Sequence, residues 1–422
     1  MIQTYKVMLI PNNKQTTKLF DYSGASRFAY NWALSKEMES LKNKQGFISE
    51  KDLRKEFTKL RHNSEYKWLE GISNNVTKQA IKDLVKAYIR FFKLRKQPGY
   101  KPYTKKQLEH AKRTGKVLTF YDTQGHPKFK VKRNIQRYGF YQDSGKIKFT
   151  ETHVKVEGFS SSKRKSRQKL NWIKFTEKGR VPLGVKYYNP RITYDGINWW
   201  ISVGVEVENN VVYQSHSEGI GIDLGIKDLA ILSDKRRTKY VNINKTKKIK
   251  DLEKRKKRLQ RSISRKYENN KKKGGSYCKT KNIIKAEKQK LKIEHRLANI
   301  RKNYQLQTIS EIINRKPKFI VIEDLNVSGM MQNKHLSKSV QQQNLREFRQ
   351  RLENKSNYLK FPLVIADRWY PSSKLCNCCG AVKKDLKLSD RIYKCDCGYT
   401  ADRDYNASKN LRDYVIKYSL VS

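Results

Sequence analysis

The sequence is poor in acidic residues and has no long apolar run. Of its 422 residues only 39 are Asp or Glu, against 94 Lys or Arg, and the formal net charge is +55. A charge of this size exceeds what solubility requires and predicts a polyanionic partner. No apolar run reaches the roughly 18 residues of a membrane-spanning helix, and the apolar stretch within the N-terminal MIQTYKVMLIP is too short for a secretory signal. We therefore expect a cytoplasmic protein with no membrane partner.

The basic residues run along the whole chain rather than gathering in one tail. Hydrophobic residues make up 37% of the sequence and aromatic residues 11%, which is enough for packed cores. This composition argues against a disordered basic tail and for two or three folded domains. A basic protein at a membrane surface is the alternative, but the spread of the charge over the chain disfavours it.

Cysteine is also scarce, and five of the six cysteines lie between Cys376 and Cys397. They form the motifs CNCCG and CDCG, and paired motifs of this kind build closed tetrahedral zinc sites. The second motif is CxC rather than the commoner CxxC, which reduces the distance that its two sulfur atoms can span around a metal ion. Disulfides are the alternative, which a cytosolic location disfavours. The expected ligands of a structural Zn²⁺, with Cys378 left over, are Cys376, Cys379, Cys395 and Cys397.

The first half of the chain predicts a strand, several helices and then a β-rich region. Residues 2–10 alternate as a strand does, and apolar spacings of three and four predict helices at about 49–61 and 74–95. The stretch 96–115 is polar and basic with proline and glycine, which is typical of a linker or insertion. From about 117 to 207, short segments rich in aromatic and β-branched residues predict a small β-barrel or sandwich that closes onto the first strand.

A different pattern begins at Gly219. The segment GIGIDLGIKDLAILSD predicts two buried strands joined by a tight glycine turn, and two long basic helices follow at about 245–268 and 281–314. KPKFIVIED predicts another buried strand, residues 340–357 a polar helix, and LVIADRW a further strand. Strands and helices in this order are typical of an RNase H-like α/β domain.

Three acidic residues of this region sit where an apolar strand ends or a helix begins: Asp223 in GIDLG, Glu323 in VIEDLN and Asp404 in DRDYNASKN. A carboxylate in an apolar strand is costly to bury unless a cation compensates it. Each acid alone could be an ordinary strand-end or helix-capping residue. Together, in the order of an RNase H-like fold, they predict a catalytic site in which two Mg²⁺ ions drive in-line hydrolysis of a phosphodiester.

Two neighbouring acids leave the assignment open. Glu323 is followed by Asp324, and strand parity with Ile320 and Ile322 favours Glu323 only weakly. Asp404 is preceded by Asp402, which we interpret as the N-cap of the following helix.

The helix KTKKIKDLEKRKKRLQRSISRK has too few acids to pair with its cations, so a solvated charged face does not account for it. We interpret it as a groove for a phosphate backbone, whose affinity should fall steeply with salt. The candidate nucleic-acid contacts on it are Lys254, Arg255, Lys257 and Arg258.

Long motifs at both ends of the chain resemble the TnpB family of transposon-encoded proteins, relatives of the miniature type V CRISPR effectors. YKVMLIPNNKQ, SRFAYNWALSKE and NNVTKQAIKDLVKAYIRFFK are similar to the family's opening strand and helices. GIDLGIKDLAILSD, FIVIEDLNVSGM, WYPSSKLCNCCG and YKCDCGYTADRDYNASKN resemble its RuvC and zinc-finger signatures. By position, the resemblance places the family's catalytic acids, which hold Mg²⁺, on Asp223, Glu323 and Asp404.

The resemblance implies an α+β multidomain fold in four parts. They are a wedge β-barrel (1–12 and 117–213), a helical recognition insert with a basic linker (13–116), an RNase H-like RuvC nuclease domain (214–372 and 401–422) and an inserted zinc finger (373–400). It also implies an RNA-guided, Mg²⁺-dependent DNA endonuclease of the bacterial or archaeal cytosol, associated with the nucleoid. Its partners would be a guide RNA and double-stranded target DNA next to a short flanking motif, with Lys78 and Gln79 as candidate contacts to that motif.

Alternatives to this function remain. A guided repressor or transposition regulator that binds without cutting would not need the three acids, and a strand-transfer enzyme would need a His-hydrophobe-His motif with a tyrosine nucleophile, which the chain does not show. The stretch 96–127 is longer than the family's usual link into the barrel and could be an RNA contact or a surface elaboration. A monomer is favoured over a homodimer.

Overall fold

The computed structural model describes residues 1–131, 138–159, 170–271, 279–387 and 390–418. The chain divides into two compact units, Met1–Glu208 and Asn209–Ser422. Within the described ranges, no helix is both long enough and apolar enough to cross a membrane.

In the described part of the first unit, seven strands form one antiparallel sheet. They are β1 (Ile2–Ile10), β2 (Tyr138–Tyr141), β3 (Lys148–Phe149), β4 (His153–Lys155), β5 (Trp172–Phe175), β6 (Tyr187–Tyr194) and β7 (Trp199–Glu206). The order β2-β6-β7-β1-β5-β4-β3 puts the first strand at the centre, between β7 and β5. The predicted joining of the β-rich region to the first strand is therefore seen. Closure into a barrel is not confirmed, because no pairing joins β2 to β3 in the described residues.

Four helices of the first unit lie between β1 and β2 in the chain: α1 (Asn13–Lys42), α2 (Glu50–Arg61), α3 (Asn74–Arg95) and α4 (Lys105–Thr114). The side chains of Asn12, Ser49 and Ser73 cap the first three by accepting backbone N–H groups. Helices α1 and α3 pack together around a core rich in aromatic side chains. The stretch predicted as a linker instead contains α4, although this helix buries none of its side chains.

Glu37 of α1 is a buried carboxyl group with incomplete hydrogen bonding. One of its oxygens accepts the Ile48 N–H at 3.2 Å, and the other, Oε1, has no hydrogen-bond partner in the described residues. Burial raises the pKa of Glu37 from 4.5 to about 7, against the hydrogen bond from Ile48. The folded state therefore holds this proton over a pH range in which the unfolded chain has already lost it.

Replacing Glu37 by Gln should flatten part of the dependence of stability on pH. In the native protein the free energy of unfolding should fall between pH 4.5 and about 7, by up to about 3 kcal/mol, and then level off, because folding favours the protonated form. The measurement is urea unfolding at pH 5 and pH 8. Glu39→Gln, two residues away and exposed, is the matched control and should keep the native difference. Identical pH profiles for Glu37→Gln and the native protein would contradict the prediction.

In the described part of the second unit, five strands form a mixed sheet: β8 (Ile220–Leu224), β9 (Asp228–Leu232), β10 (Lys239–Val241), β11 (Ile320–Glu323) and β12 (Leu363–Ala366). The order is β10-β9-β8-β11-β12. The first three strands pair antiparallel, and β11 runs parallel to both β8 and β12. A separate hairpin joins β13 (Ile392–Lys394) to β14 (Thr400–Asp402).

The helices described in this unit are α5 (Lys247–Asn269), α6 (Lys281–Asn314), α7 (Val327–Met330), α8 (Ser337–Gln343), α9 (Leu345–Leu359) and α10 (Arg403–Lys417). The helix predicted over 340–357 is thus wrong as one element. It is divided between α8 and α9 because Asn344 adopts the left-handed conformation, with φ 52° and ψ 47°, which interrupts helical hydrogen bonding.

Helix α10 packs directly onto the central strand β8. A Cβ atom at Gly221 would lie 2.0 Å from the Ser408 carbonyl oxygen and 2.4 Å from the Arg412 backbone nitrogen, so no side chain fits there. This close approach brings the start of α10 to the strand that carries Asp223.

Candidate functional site

Asp223 and Glu323 lie at the ends of neighbouring parallel strands. Ile222 of β8 pairs with Ile322 of β11, and each acid follows one residue later on its strand. Side chains at the same level of adjacent strands point to the same face of the sheet, and the strands lie about 4.8 Å apart. The two half-buried carboxyl groups therefore share one position at the edge of the sheet.

Asp404 reaches this position from the first turn of α10. Its neighbour Asp402 is the N-cap of the helix, since the Asp402 carboxylate accepts the backbone N–H groups of Asp404 and Tyr405, both at 3.1 Å. The predicted capping role of Asp402 is therefore confirmed. Lys239 also pairs with Asp402 at 3.0 Å, whereas the Asp404 carboxylate accepts hydrogen bonds from the guanidinium of Arg403 at 3.1 and 3.2 Å.

The three acids interact electrostatically. Burial raises the pKa of Asp223 well above its usual value, and the charges of Glu323 and Asp404 raise it further, against the attraction of Arg403. Burial also raises the pKa of Glu323, the hydrogen bond from Ser372 opposes the rise, and the charge of Asp404 adds to it. Carboxyl groups that disfavour one another's ionisation in this way have a large electrostatic affinity for cations.

The structure distinguishes Glu323 from Asp324. The Asp324 carboxylate is bound by two guanidinium groups, from Arg349 and from Arg368, the latter at 2.6 Å. The hydrogen bond from Arg349 is the largest of the effects that lower the pKa of Asp324. The Glu323 carboxylate instead accepts the hydroxyl of Ser372 and lies against Asp404. Asp324 is therefore already neutralised by arginine, and Glu323 is not.

Four cysteines form a separate cluster, made of Cys376, Cys379, Cys395 and Cys397, with their sulfur atoms all within 4.8 Å of one another. Two of the sulfur–sulfur distances are 3.7 Å (Cys376 to Cys397) and 3.6 Å (Cys379 to Cys395). Four Zn–S bonds of about 2.3 Å in a tetrahedron place sulfur atoms roughly 3.8 Å apart, so the spacing fits a zinc ion. Cys378 is exposed and lies outside the cluster.

Cys376 is the buried member of the cluster. Burial raises the pKa of its thiol, but hydrogen bonds from the backbone N–H groups of Cys379 and Cys378 outweigh this and lower the pKa to about 7. The hairpin β13–β14 follows the first pair of cysteines, and its buried Tyr393 donates its hydroxyl to the Lys374 carbonyl oxygen at 3.1 Å. The CxC motif of Cys395 and Cys397 is therefore held against the first motif, which contains Cys376 and Cys379.

A chain of buried hydrogen bonds joins the cysteine cluster to the carboxyl groups. Asn410 of α10 donates to the carbonyl oxygens of Ser372 and Leu375, both at 2.7 Å, and Asn406 donates to Leu375 at 2.7 Å. Leu375 precedes Cys376 of the cluster, and Ser372 donates to Glu323. Sequence reasoning missed Ser372 and the two asparagines. In the sequence, Asn406 and Asn410 are four residues apart and therefore lie on one face of a helix, which is buried in the structure. This spacing is the signal that could have identified the two asparagines.

Known relatives match the chain over nearly its full length. A protein of Streptomyces pristinaespiralis named "Putative RNA-guided DNA endonuclease" is 27% identical over 410 residues, covering 97% of this chain and 88% of the relative. InsQ of Escherichia coli K12, named in the same way, is 25% identical, with 97% and 91% covered. A TnpB-like protein of Acanthamoeba polyphaga mimivirus, L79, is 32% identical over 127 residues, which are 28% of this chain and 24% of the relative.

Three family models match successive parts of the chain. They are described as a helix-turn-helix domain (residues 1–46), a probable transposase (202–334) and a Cas12f1-like TNB domain (346–411). Together, these models and the full-length relatives support a TnpB-family protein. Through the third of these domains it is related to the miniature type V effectors.

Solved structures similar to this chain include the mini-RNA-guided endonuclease CRISPR-Cas phi3, at 11% identity and a TM-score of 0.48, with 99% of this chain and 92% of that chain covered. A Cas12f1–sgRNA–target DNA complex is similar at 13% identity and a TM-score of 0.34, with 98% and 99% covered.

Two basic surfaces of the chain carry the sequence-predicted nucleic-acid contacts other than Gln79. In the first unit, Lys78 is exposed in a cleft of about 440 Å³ between α2 and α3, lined also by Glu50, Lys51, Arg54, Lys55 and Thr58. Gln79 instead is half-buried and donates to Asp83 at 2.9 Å, and Asp83 also pairs with Arg191. Lys78 therefore lies on an open basic surface, whereas the side chain of Gln79 is hydrogen-bonded to Asp83 within the unit.

The second surface is the outer face of α5 in the second unit. Helices α5 and α6 pack through Ile249, Leu252, Ile293 and Leu297. Toward α6, Glu253 pairs with Lys256 at 2.7 Å and with Arg301 at 2.9 Å. The four predicted contact residues are all exposed on this helix: Lys254, Arg255, Lys257 and Arg258.

Proposed function

We propose that this chain is an RNA-guided, Mg²⁺-dependent DNA endonuclease that cuts through one site formed by Asp223, Glu323 and Asp404. The observation that carries the proposal is the meeting of these three carboxyl groups, two of them with raised pKa values, at one edge of a mixed sheet. The names of the full-length relatives support the guided nuclease activity. Among the described residues no arginine pairs with Glu323, in contrast to Asp324, and this supports a cation as the partner of Glu323.

The donor set suits magnesium. Carboxylate oxygens are the ligands that Mg²⁺ takes in phosphodiester chemistry, and bound cations would relieve the mutual repulsion of the three acids. The three acids would hold a pair of ions, as in other two-metal sites that act on phosphodiesters. Such a pair supplies an activated water and stabilises the leaving 3′ oxygen.

The residues around the acids have separate tasks in this proposal. Ser372 donates to Glu323 and fixes the direction of its carboxylate, and Asp402 caps α10 and so fixes Asp404. Arg403 pairs with Asp404 at 3.1 Å and so helps to hold the Asp404 carboxylate in place. The strand order β10-β9-β8-β11-β12 supports an RNase H-like RuvC domain over 214–372 and 401–422, with 373–400 as a zinc-binding insert.

The first unit and α5 supply the binding surfaces. The sheet of the first unit and the helices α1 to α4 support the division into a wedge domain (1–12 and 117–213) and a helical recognition insert (13–116). In the cleft around Lys78, basic residues outnumber the one acid, Glu50, which pairs with Arg54 at 2.6 Å. This cleft suits a phosphate of the DNA beside the flanking motif, and the outer face of α5 suits the backbone of guide or target.

The test is cleavage of a plasmid library that carries randomised sequence beside a fixed target. The protein is co-expressed with the DNA downstream of its own gene, as the source of the guide RNA, and with a scrambled guide as control. The proposal expects cutting with the matching guide and enrichment of one short flanking sequence among the cut plasmids. Guide-dependent binding without cutting would overturn it and would identify a repressor instead.

The Ser372 hydroxyl should matter for the use of magnesium. Ser372→Ala should raise the Mg²⁺ concentration at half-maximal cleavage by about 10- to 100-fold, the usual effect of removing a group that orients a metal ligand. Ser373→Ala is the matched neighbour, since Ser373 makes no contact with the carboxyl groups. The backbone bond from Asn410 to residue 372 is unaffected by either change. Equal magnesium titrations for the two variants would show that Ser372 does not position Glu323.

A further inference from the structure

Trp369 is held out into solvent. Its side chain is 85% exposed, the highest value among the large hydrophobic residues in the described part of the chain; Trp68, by comparison, is 51% exposed. Single exposed apolar residues are common on proteins, but an indole is the largest apolar side chain and few are left this open. The structure around Trp369 should therefore account for the exposure of its indole.

The segment on either side of Trp369 is rigidly held. The Trp369 N–H donates to the Asp367 carboxylate at 2.8 Å, and the Tyr370 N–H donates to the Asp367 carbonyl oxygen at 3.1 Å, which closes a turn. The Tyr370 hydroxyl donates to the Asn410 carbonyl oxygen of α10 at 3.1 Å. These hydrogen bonds fix the turn and the residues beside Trp369. The indole is therefore exposed even though its segment is well held.

The same segment contacts two consecutive residues at the end of β11, Glu323 and Asp324. Arg368 pairs with Asp324 at 2.6 Å, and Ser372 donates to Glu323. Trp369 lies between these two anchors. Three residues of extended chain span at most about 11 Å, so the Cα atom of Trp369 lies within that distance of the residue that holds Glu323. Its indole is within reach of the nucleotides that flank a phosphate bound at the three acids.

We propose that Trp369 is a stacking platform for a base of the single-stranded target DNA that enters the carboxylate site. The inference rests on the proposed nuclease function and deepens it by adding a substrate-binding residue. Every base has a π face, so stacking on one indole holds a strand without reading its sequence, as a guided nuclease requires.

The surroundings of Trp369 favour nucleic acid as the occupant. The adjoining Asp367 and Arg368 are exposed and polar, and Tyr370 is half-buried, so the residues next to Trp369 in the chain do not extend the indole into an apolar patch. The chain as a whole carries a net charge of +55, which draws polyanions to it. An isolated aromatic face in a cationic protein matches the base-stacking mode of single-strand binding.

The inference is tested with the guide-loaded complex of the Asp223→Ala protein and single-stranded targets that carry 2-aminopurine at successive positions around the cut. Stacking quenches the fluorescence of this base. We expect quenching at one position, its loss in Trp369→Ala together with a roughly 5- to 150-fold weaker affinity for the strand, and its retention in Trp369→Phe. Ile416→Ala removes another exposed apolar side chain, 70% exposed in the same unit, and should change neither quantity.

Unchanged quenching and affinity in Trp369→Ala would overturn the inference, as would a defect confined to binding of the guide RNA. Guided cleavage by the protein with native Asp223 is measured in parallel. If the protein with native Asp223 cuts and Trp369→Ala cuts equally well, the stacking inference fails while the proposed nuclease function stands. If it does not cut at all, the proposed function itself fails.

Discussion

Glu323→Gln should reduce guided cleavage by more than about 100-fold, beyond the 10- to 100-fold that is typical of groups which only orient a metal ligand. The neighbouring Asp324→Asn should cost less than about 10-fold, because Asp324 acts through partly exposed ion pairs with Arg349 and Arg368. Initial cleavage rates of the two variants at saturating Mg²⁺ measure the difference. The reverse order of effects would place the catalytic carboxylate on Asp324.

The same pair of variants gives a second readout in unfolding experiments. Burial raises the pKa of Glu323 and the charge of Asp404 raises it further, so Glu323→Gln should raise the thermal unfolding midpoint in the absence of Mg²⁺ even as it reduces cleavage. Asp324→Asn removes two attractive pairs and should lower the midpoint slightly. Loss of activity through misfolding would instead lower the midpoint of Glu323→Gln, which separates the two explanations.

Cys376→Ser should remove the zinc ion, while Cys378→Ser should keep it. We expect about one zinc per chain in the native protein and in Cys378→Ser, and well below half in Cys376→Ser, measured by elemental analysis of the purified proteins. The buried position of Cys376 and the bonds from Asn406 and Asn410 to the backbone before it tie this site to α10. Cys376→Ser should therefore also lower the unfolding midpoint and reduce cleavage. Equal zinc contents in the two variants would contradict the proposed ligand set.

The elements with strong local signals could be predicted from the sequence. Buried strands such as GIGIDL and FIVIE are mainly apolar, each with one acid near its end, and the strand predictions there are confirmed by β8 and β11. The four grouped cysteines follow from spacing alone, because two short knuckles can each supply only nearby sulfurs. The long helices α5 and α6 likewise follow from their composition and periodicity.

Features that depend on tertiary contacts could not be predicted. Glu323 and Asp324 are adjacent, and what separates them is the arrival of Arg349 and Arg368 from elsewhere in the chain. The roles of Ser372 and Asn410 depend on α10 packing against residues 372–375, which no local pattern encodes. The interruption at Asn344 arises from one residue in a left-handed conformation within an otherwise helical composition.

The central claim is that guided cutting depends on metal held by the three acids. The direct measurement is cleavage of one guided plasmid by the native and Asp223→Ala complexes, in Mg²⁺, in EDTA, and after Mg²⁺ is added back. The account predicts cutting by the native complex in Mg²⁺, its loss in EDTA, its return on addition of Mg²⁺, and no cutting by Asp223→Ala, which should still bind the target. Cutting that persists in EDTA or in Asp223→Ala would contradict the account.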